Sequence, residues 1–355
     1  MDEAIKTAPI EADGPAFIIR AARNSDHRQL LSLARELDSI NLPTDSRKLH
    51  EAIVCSIQSF RGRVRDRSRA VYLFCAEQRS TGALVAASML IAKHGTPEAP
   101  HYYLEMDSDD RYSHTLRKLF RHPYLRLRHS MDGPTEIGGL IVTKAMRGHP
   151  ERIGKQISWV RFLYLAKHPG RFENRIVAEM LAPMLPDHGN VFWDHYGRRI
   201  TGLSFREADI LSARDKEFIR ALFPDTPLYT FLLPDEVRDS LGATGEATRG
   251  AVRLLEQAGM RFLNQIDPFD GGPYYGAETS SLRPIRETRS AAVVVGEPAP
   301  EQARSYLIGC EDARGFRAVR AQAEIIAPGR ILVEAAALAT LGVKPRTRVD
   351  AAPLP

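Results

Sequence analysis

Cysteine is scarce: Cys55, Cys75 and Cys310 are odd in number and far apart. That excludes a disulfide framework, argues against a zinc site and fits a reducing, cytoplasmic setting. No apolar run approaches the ~20 residues of a membrane-spanning helix, so no membrane role is expected. Residues 1–14 are too acidic, and lack the apolar centre, for a signal peptide; they read as a frayed leader. The positive excess is small, at +5. Much of it falls at 61–69 and 111–129, both arginine-rich, yet no nucleic-acid motif accompanies them. Solvated loops and helix faces account for these stretches, and a phosphate-rich cofactor would account for the bias equally well. Nucleic acid is not expected as a partner.

What is present is ordinary for a globular protein: 43% hydrophobic and 26% charged residues in a chain of 355, with room for two domains and a small third. A short strand at 17–20 precedes a helix capped by Asn24 and Ser25, with Leu30, Leu33 and Leu37 on one face. After a break at 41–45, a second helix carries Leu49, Ile53, Ile57 and Phe60. Strands at 71–77 and 83–92 flank a turn and read as a hairpin. Residues 94–133 read as an irregular insertion that lines a pocket or covers one. At 134–168 a buried strand (136–142) runs into a basic loop with two glycines and then a helix. Ile153, Ile157, Val160 and Tyr164 mark that helix, spaced four, three and four. A strand, a glycine turn and a helix start form a ready anion site, because free N–H groups and the helix dipole point at it. Arg147, Arg152 and Lys155 add charge there, which points to the pyrophosphate of coenzyme A. A strand at 175–180 and a short helix at 192–197, closed by Gly197 as its cap, follow.

Beyond residue 204 come helix at 208–223, a proline-bounded strand at 227–234, short helix at 235–241, a helix between Thr248 and Gly259, a strand at 261–266 and a tight turn at 270–273. The last part offers strands at 291–295, 304–309, 316–324 and 330–334, a helix ending at Gly342, and a strand at 346–349. The expected division is a leader over 1–14, a first domain over 15–204, a second partial copy over 205–290 and a small β-rich region over 291–355.

The element order to residue 197 resembles the Gcn5-related N-acetyltransferase fold, an α/β (α+β) class with a mixed sheet. Several runs occur in order: Asn41-Leu42-Pro43, residues 136–142, Ala178-Glu179-Met180, Phe192-Trp193, Phe205 with Ala208-Asp209, Lys216 with Phe218-Ile219, Pro227 with Tyr229, and Asp267 with Phe269-Asp270-Gly271-Gly272-Pro273. Together they resemble the arginine N-succinyltransferase family. The resemblance covers about residues 16–290. It implies a succinyl group moved from succinyl-CoA to the α-amino group of arginine, or in some members ornithine. It implies no permanently bound cofactor, acyl-CoA as co-substrate, and a homo-oligomer or a pair of paralogous subunits. It places Leu140 at the succinyl-CoA contact. The sequence also departs from the family: Gly245 stands at the proton-donor histidine, Thr226 at a second histidine, Leu181 at an arginine, and two residues are inserted in the pyrophosphate turn.

Acyl transfer from a thioester needs an amine held against the carbonyl, donors for the oxyanion and an acceptor for the amine proton. Gly138-Gly139 would favour a strand bulge that aims a backbone N–H at the carbonyl, or would simply weaken the strand. Leu140, Ile141, Val142, Arg147, Gly148, Arg152, Gly154 and Lys155 are the expected coenzyme contacts. Glu179 and Glu136 are the expected catalytic carboxylates, Glu179 foremost because apolar neighbours raise a carboxyl pKa; it could instead bind the substrate amine. Tyr229 and Tyr102 are the expected substrate contacts. His101, Tyr103, Tyr196 and His188 are further candidates, each with a plain structural alternative. Trp193 stands where many N-acetyltransferases carry the tyrosine that protonates the thiolate, and it cannot do so. The alternative role is a catalytically silent subunit beside an active paralogue.

Overall fold

A computed structural model describes residues 14–36, 42–186, 189–212 and 215–355. The leader over 1–13, Leu37, Asn41 and His188 fall outside them. Among the described residues no helix is long and apolar enough to cross a membrane.

The first half follows the expected order. Strand β1 (Phe17–Ala21) leads to helices α1 (His27–Glu36) and α2 (Ser46–Phe60), then to β2 (Val71–Gln78) and β3 (Leu84–Ile91). The region read as irregular is instead the longest hairpin, β4 (His101–Ser113) and β5 (Lys118–Ser130). Its pairing comes from charge across the strands: Arg128 bonds Glu105 at 2.9 Å and Arg121 bonds Asp110 at 2.9 Å. The arginines of 111–129 are thus largely a solvated sheet face. Then come β6 (Thr135–Val142), α3 (Ile153–Lys167) and β7 (Arg175–Glu179).

The strand expected at 227–234 shrinks to β8 (Leu228–Tyr229), because the chain turns into a 3-10 helix at Thr230. Gly197 does not cap a helix either. It starts the helix Gly197–Thr201, and a side chain there would strike the Trp193 ring. The strands β9 (Arg261–Ile266) and β10 (Pro273–Glu278) precede β11 (Arg289–Val295), β12 (Arg304–Asp312), β13 (Gly315–Ala327), β14 (Arg330–Val333) and β15 (Arg348–Pro353).

All fifteen strands form one mixed sheet, in the order β12-β15-β11-β14-β13-β1-β2-β3-β6-β7-β10-β9-β4-β5-β8. An added β12–β13 pairing closes the last five strands into a barrel. Helix α3 is buried nearly all round, with Trp159, Phe162 and Tyr164 in the main core beside β2, β3 and β12 residues.

Two features of β6 shape the site. First, Ala87 pairs with Ile141 and Met89 with Gly138, so Gly139 and Leu140 together face the single residue Ser88. This is the expected bulge, and Gly139 takes it at φ +57°, a conformation that side chains resist. Second, β6 is parallel to β7 and pairs with it only at Thr135–Ile176 and Glu136–Val177. Beyond those pairs the strands part.

Strand β1, between β13 and β2 in the sheet, carries a buried ion pair. Arg20 lies against Asp26 through contacts of 2.7 and 2.9 Å and reaches Glu77 at 2.6 Å. Asp26→Ala leaves that guanidinium without its main partner and is expected to cost about 3–5 kcal/mol of stability in urea unfolding. A loss below about 1 kcal/mol would show that the pair does not hold β1 to the 3-10 turn that precedes α1.

Candidate active site

The parted strands open a cleft of about 1010 Å³. Its walls are residues 137–142 of β6, the turn and first helical residues 146–155, the β7 end from Ala178 to Leu181, and the helix Arg249–Ala258. Every expected coenzyme contact lines it: Leu140, Ile141, Val142, Arg147, Gly148, Arg152, Gly154 and Lys155. Arg152 sits at the helix cap with φ +52°, and its carbonyl accepts from the N–H groups of Lys155 and Gln156. Ile153 and Gly154, whose first-turn N–H groups have no carbonyl one turn earlier in the helix, line the cleft. The Arg147 guanidinium leans on the Val142 carbonyl at 3.4 Å. Lys155 is differently engaged, since its ammonium donates to the Pro355 carbonyl at 2.9 Å.

Glu179 lines the cleft, and three further carboxylates, Glu136, Asp267 and Asp270, gather behind it. Glu136, 8% exposed, meets His94 Nδ1 at 2.7 Å. Burial pushes the Glu136 pKa up, but His94, His101 and Lys216 outweigh it and hold the group below the ordinary value. Glu179, which opens onto the cleft, is shifted the other way. Burial raises it well above the usual carboxylate range, and the negative charges of Asp267, Glu136 and Asp270 add to that. Two carboxylates on the neighbouring strands β6 and β7 are therefore driven in opposite directions, the arrangement that separates an ionised group from a proton carrier.

Glu179 faces Tyr274 across the β7–β10 ladder. The Tyr274 hydroxyl lies 3.2 Å from Glu179 Oε2 and 3.1 Å from Asp267 Oδ2. Burial, then Glu179 and Asp267, push its pKa well above 10.0, so it stays a donor. The turn before β10 holds both aspartates. Asp267 Oδ1 accepts from the N–H groups of Phe269 and Asp270 at 2.7 and 3.1 Å. Asp270 accepts from Gly272 at 2.7 Å and Ala182 at 3.0 Å. Gly272 packs so closely on the Met180 carbonyl that a Cβ would lie 2.1 Å from its oxygen. The Phe-Asp-Gly-Gly-Pro run is thus a packed clamp on the end of β7.

The other candidates are placed as follows. His101 is buried between His94 (ring centroids 4.6 Å) and Tyr274 (4.9 Å). Burial, then His94, lowers its pKa to about 3, so it stays neutral. Tyr103 stacks on it at 5.5 Å. Tyr102 is buried in the cluster around Phe192 and Trp193, outside the cleft lining. Tyr229 also lies apart, its hydroxyl on Asp109 at 2.6 Å. Tyr196 stacks on Phe192 at 5.2 Å. Gly245 donates to the Leu181 carbonyl at 2.9 Å, next to the cleft mouth.

Sequence reasoning missed His94, Arg161, Asp267, Asp270 and Tyr274 as site residues. The aspartates had a signal, two acids bracketing a glycine turn, but turn chemistry explained them too readily.

A bulged strand, a parallel partner that splays from it, and a helix start at the cleft mouth define an acyltransferase of Gcn5-related N-acetyltransferase-like architecture. A family model described as the arginine N-succinyltransferase beta subunit matches residues 17–284. The arginine N-succinyltransferase subunit alpha of Pseudomonas aeruginosa is 30% identical over 310 residues, 85% of this chain and 89% of that protein. The arginine N-succinyltransferase of Escherichia coli O1:K1 is 30% identical over 329 residues, 92% of this chain and 94% of that protein. The solved arginine/ornithine succinyltransferase subunit AI of Pseudomonas aeruginosa superposes with a TM-score of 0.82 at 27% identity, covering 96% of this chain and 99% of that one. The chain belongs to the arginine N-succinyltransferase family.

Asp270 yields a test of the cluster. Burial, then Asp267, carry its pKa from 3.8 up to about 7. A raised folded-state pKa stabilises fully below 3.8, and that contribution is lost as pH rises through about 7. The stability of the wild type relative to Asp270→Asn is therefore expected to fall across this window in thermal unfolding. Parallel curves would place the buried proton elsewhere.

Proposed function

We propose that this chain transfers a succinyl or related acyl group from its coenzyme A thioester to the amine of an amino acid. Arginine is the acceptor that the relatives' names favour. One observation carries this reading: a cleft beside a bulged strand, lined by the carboxyl of Glu179 with Glu136 on the neighbouring strand. The pyrophosphate would lie on the turn at Arg147, Gly148, Arg152 and Gly154, and the pantetheine arm along Leu140, Ile141 and Val142.

In this reading Glu136 draws the acceptor's ammonium in, and Glu179 takes its proton, with Tyr274 steadying Glu179. The amine nitrogen bonds the thioester carbon. The oxyanion rests on backbone N–H groups that the bulge releases at Gly139 and Leu140. The C–S bond then breaks, the nitrogen gives up its second proton to solvent, and coenzyme A leaves as a thiolate. A thiol with a pKa of about 8.5 leaves without an acid, so Gly245 does not by itself forbid turnover. The relatives' names, subunit alpha and subunit AI, support work as a homo-oligomer or beside a paralogous subunit. A cytoplasmic location fits an acyl-CoA supply.

The second reading is a silent subunit that stabilises an active paralogue, and Gly245 favours it. Turnover by the purified chain alone excludes it.

Glu179→Gln is expected to lower kcat about 10²- to 10⁴-fold while acyl-CoA still binds in calorimetry. In the wild type the acid limb of kcat should lie above 4.5, because a raised pKa must be passed before the base is free. A wild-type chain that neither binds succinyl-CoA or acetyl-CoA nor acylates any of an amine panel would sink the reading. Full kcat in the variant would move the base to another residue.

A further inference from the structure

Among the described residues one cation that lines the cleft is buried without a counter-charge. Arg161 lies two turns into α3, lines the cleft and is only 2% exposed. Its partners are all neutral: Ser158 through its carbonyl at 3.1 Å and its hydroxyl at 2.8 Å, and the Gly138 carbonyl at 3.4 Å. A guanidinium carries five N–H donors, so two stay uncommitted. No carboxylate among the described residues acts on it. Burial alone lowers its pKa, to about 9, so it stays charged at neutral pH.

A buried cation without an anion is costly and is retained where something pairs with it. Its position says what that partner is. Gly138, which Arg161 touches, adjoins the Gly139–Leu140 bulge. An acyl group whose thioester carbonyl sits at the bulge would carry its far end toward Gly138. A second carboxylate there would meet a planar fork suited to bidentate pairing.

We propose that Arg161 binds the free carboxylate of a dicarboxylic acyl group and so selects succinyl-type over neutral acyl-CoA. This rests on the reading of the cleft as an acyl-CoA site. Glu179, with the acids behind it, would face the cationic acceptor, and Arg161 the anionic donor. The two charges of a dicarboxylic acyl transfer are thereby kept apart.

Butyryl-CoA tests this well, because it has the four carbons of succinyl-CoA and a methyl in place of the carboxylate. Binding of CoA, butyryl-CoA and succinyl-CoA to the full-length chain is measured by calorimetry, for the wild type, Arg161→Gln and Arg161→Lys. The wild type should hold succinyl-CoA about 10- to 100-fold tighter than butyryl-CoA, as a charge-assisted pair gives. That ratio should collapse toward one in Arg161→Gln and be partly kept in Arg161→Lys. The kcat/KM ratio of the two donors should follow. If the wild type binds CoA but does not distinguish the thioesters, or if Arg161→Gln keeps the distinction, this proposal is overturned and the acyl-CoA reading stands. If CoA and its thioesters do not bind at all, both fall. The wild-type series decides even if the variants do not fold.

Discussion

Two strands that run parallel but hold each other at only two residue pairs set the terms for everything else. In a regular sheet β6 and β7 would bond along their length and leave no room between them. Here the ladder stops after Glu136–Val177, and the gap beyond becomes the cleft. The freed edge of β6 needs donors and acceptors satisfied by something else. The bulge at Gly139–Leu140 turns that need into a local donor site, and α3 places its first turn at the same opening. One break in pairing thus yields a slot, an oxyanion cradle and an anion mouth.

Charge is sorted along this slot. Arg147, Arg152 and Arg161 line it together with Glu179, while Glu136 and the Asp267–Asp270 clamp are buried behind Glu179. Gathering four carboxyl groups in a buried place raises proton affinity at Glu179 and Asp270, and the His94 contact spares Glu136 that fate. The cluster is maintained by turn hydrogen bonds and by Gly272, which lets the clamp rest on Met180. The same closeness that raises the pKa values also fixes the geometry, since Tyr274 bridges Glu179 and Asp267.

Much of this was legible because local signals agreed with the fold. The apolar run at 136–142, the helix from Ile153 and the alternating strands of the C-terminal barrel all read correctly. The residues proposed to hold the coenzyme were legible as a group too, since the cleft takes them from one strand and one turn. What could not be read depends on distant partners. The β4–β5 hairpin lacks an apolar alternation and is made by arginines facing acids across the strands. Asp267 and Tyr274 reach Glu179 only through the β7–β10 ladder. Arg161 looks like any polar residue on a helix until that helix proves to be buried all round. Gly197 read as a cap, yet packing against Trp193 is what demands a glycine there.

The placement of the thioester at the bulge can be seen directly. A crystal structure with an acyl-CoA analogue, its sulfur replaced by a methylene group, would show it. The carbonyl oxygen is predicted to lie about 2.7–3.1 Å from a backbone nitrogen at Gly139–Leu140, with the pyrophosphate against the turn from Gly148 to Gly154. An analogue seated instead in the arginine-lined cleft beside α2 and the β12–β13 turn, or one whose carbonyl points away from the bulge, would contradict it.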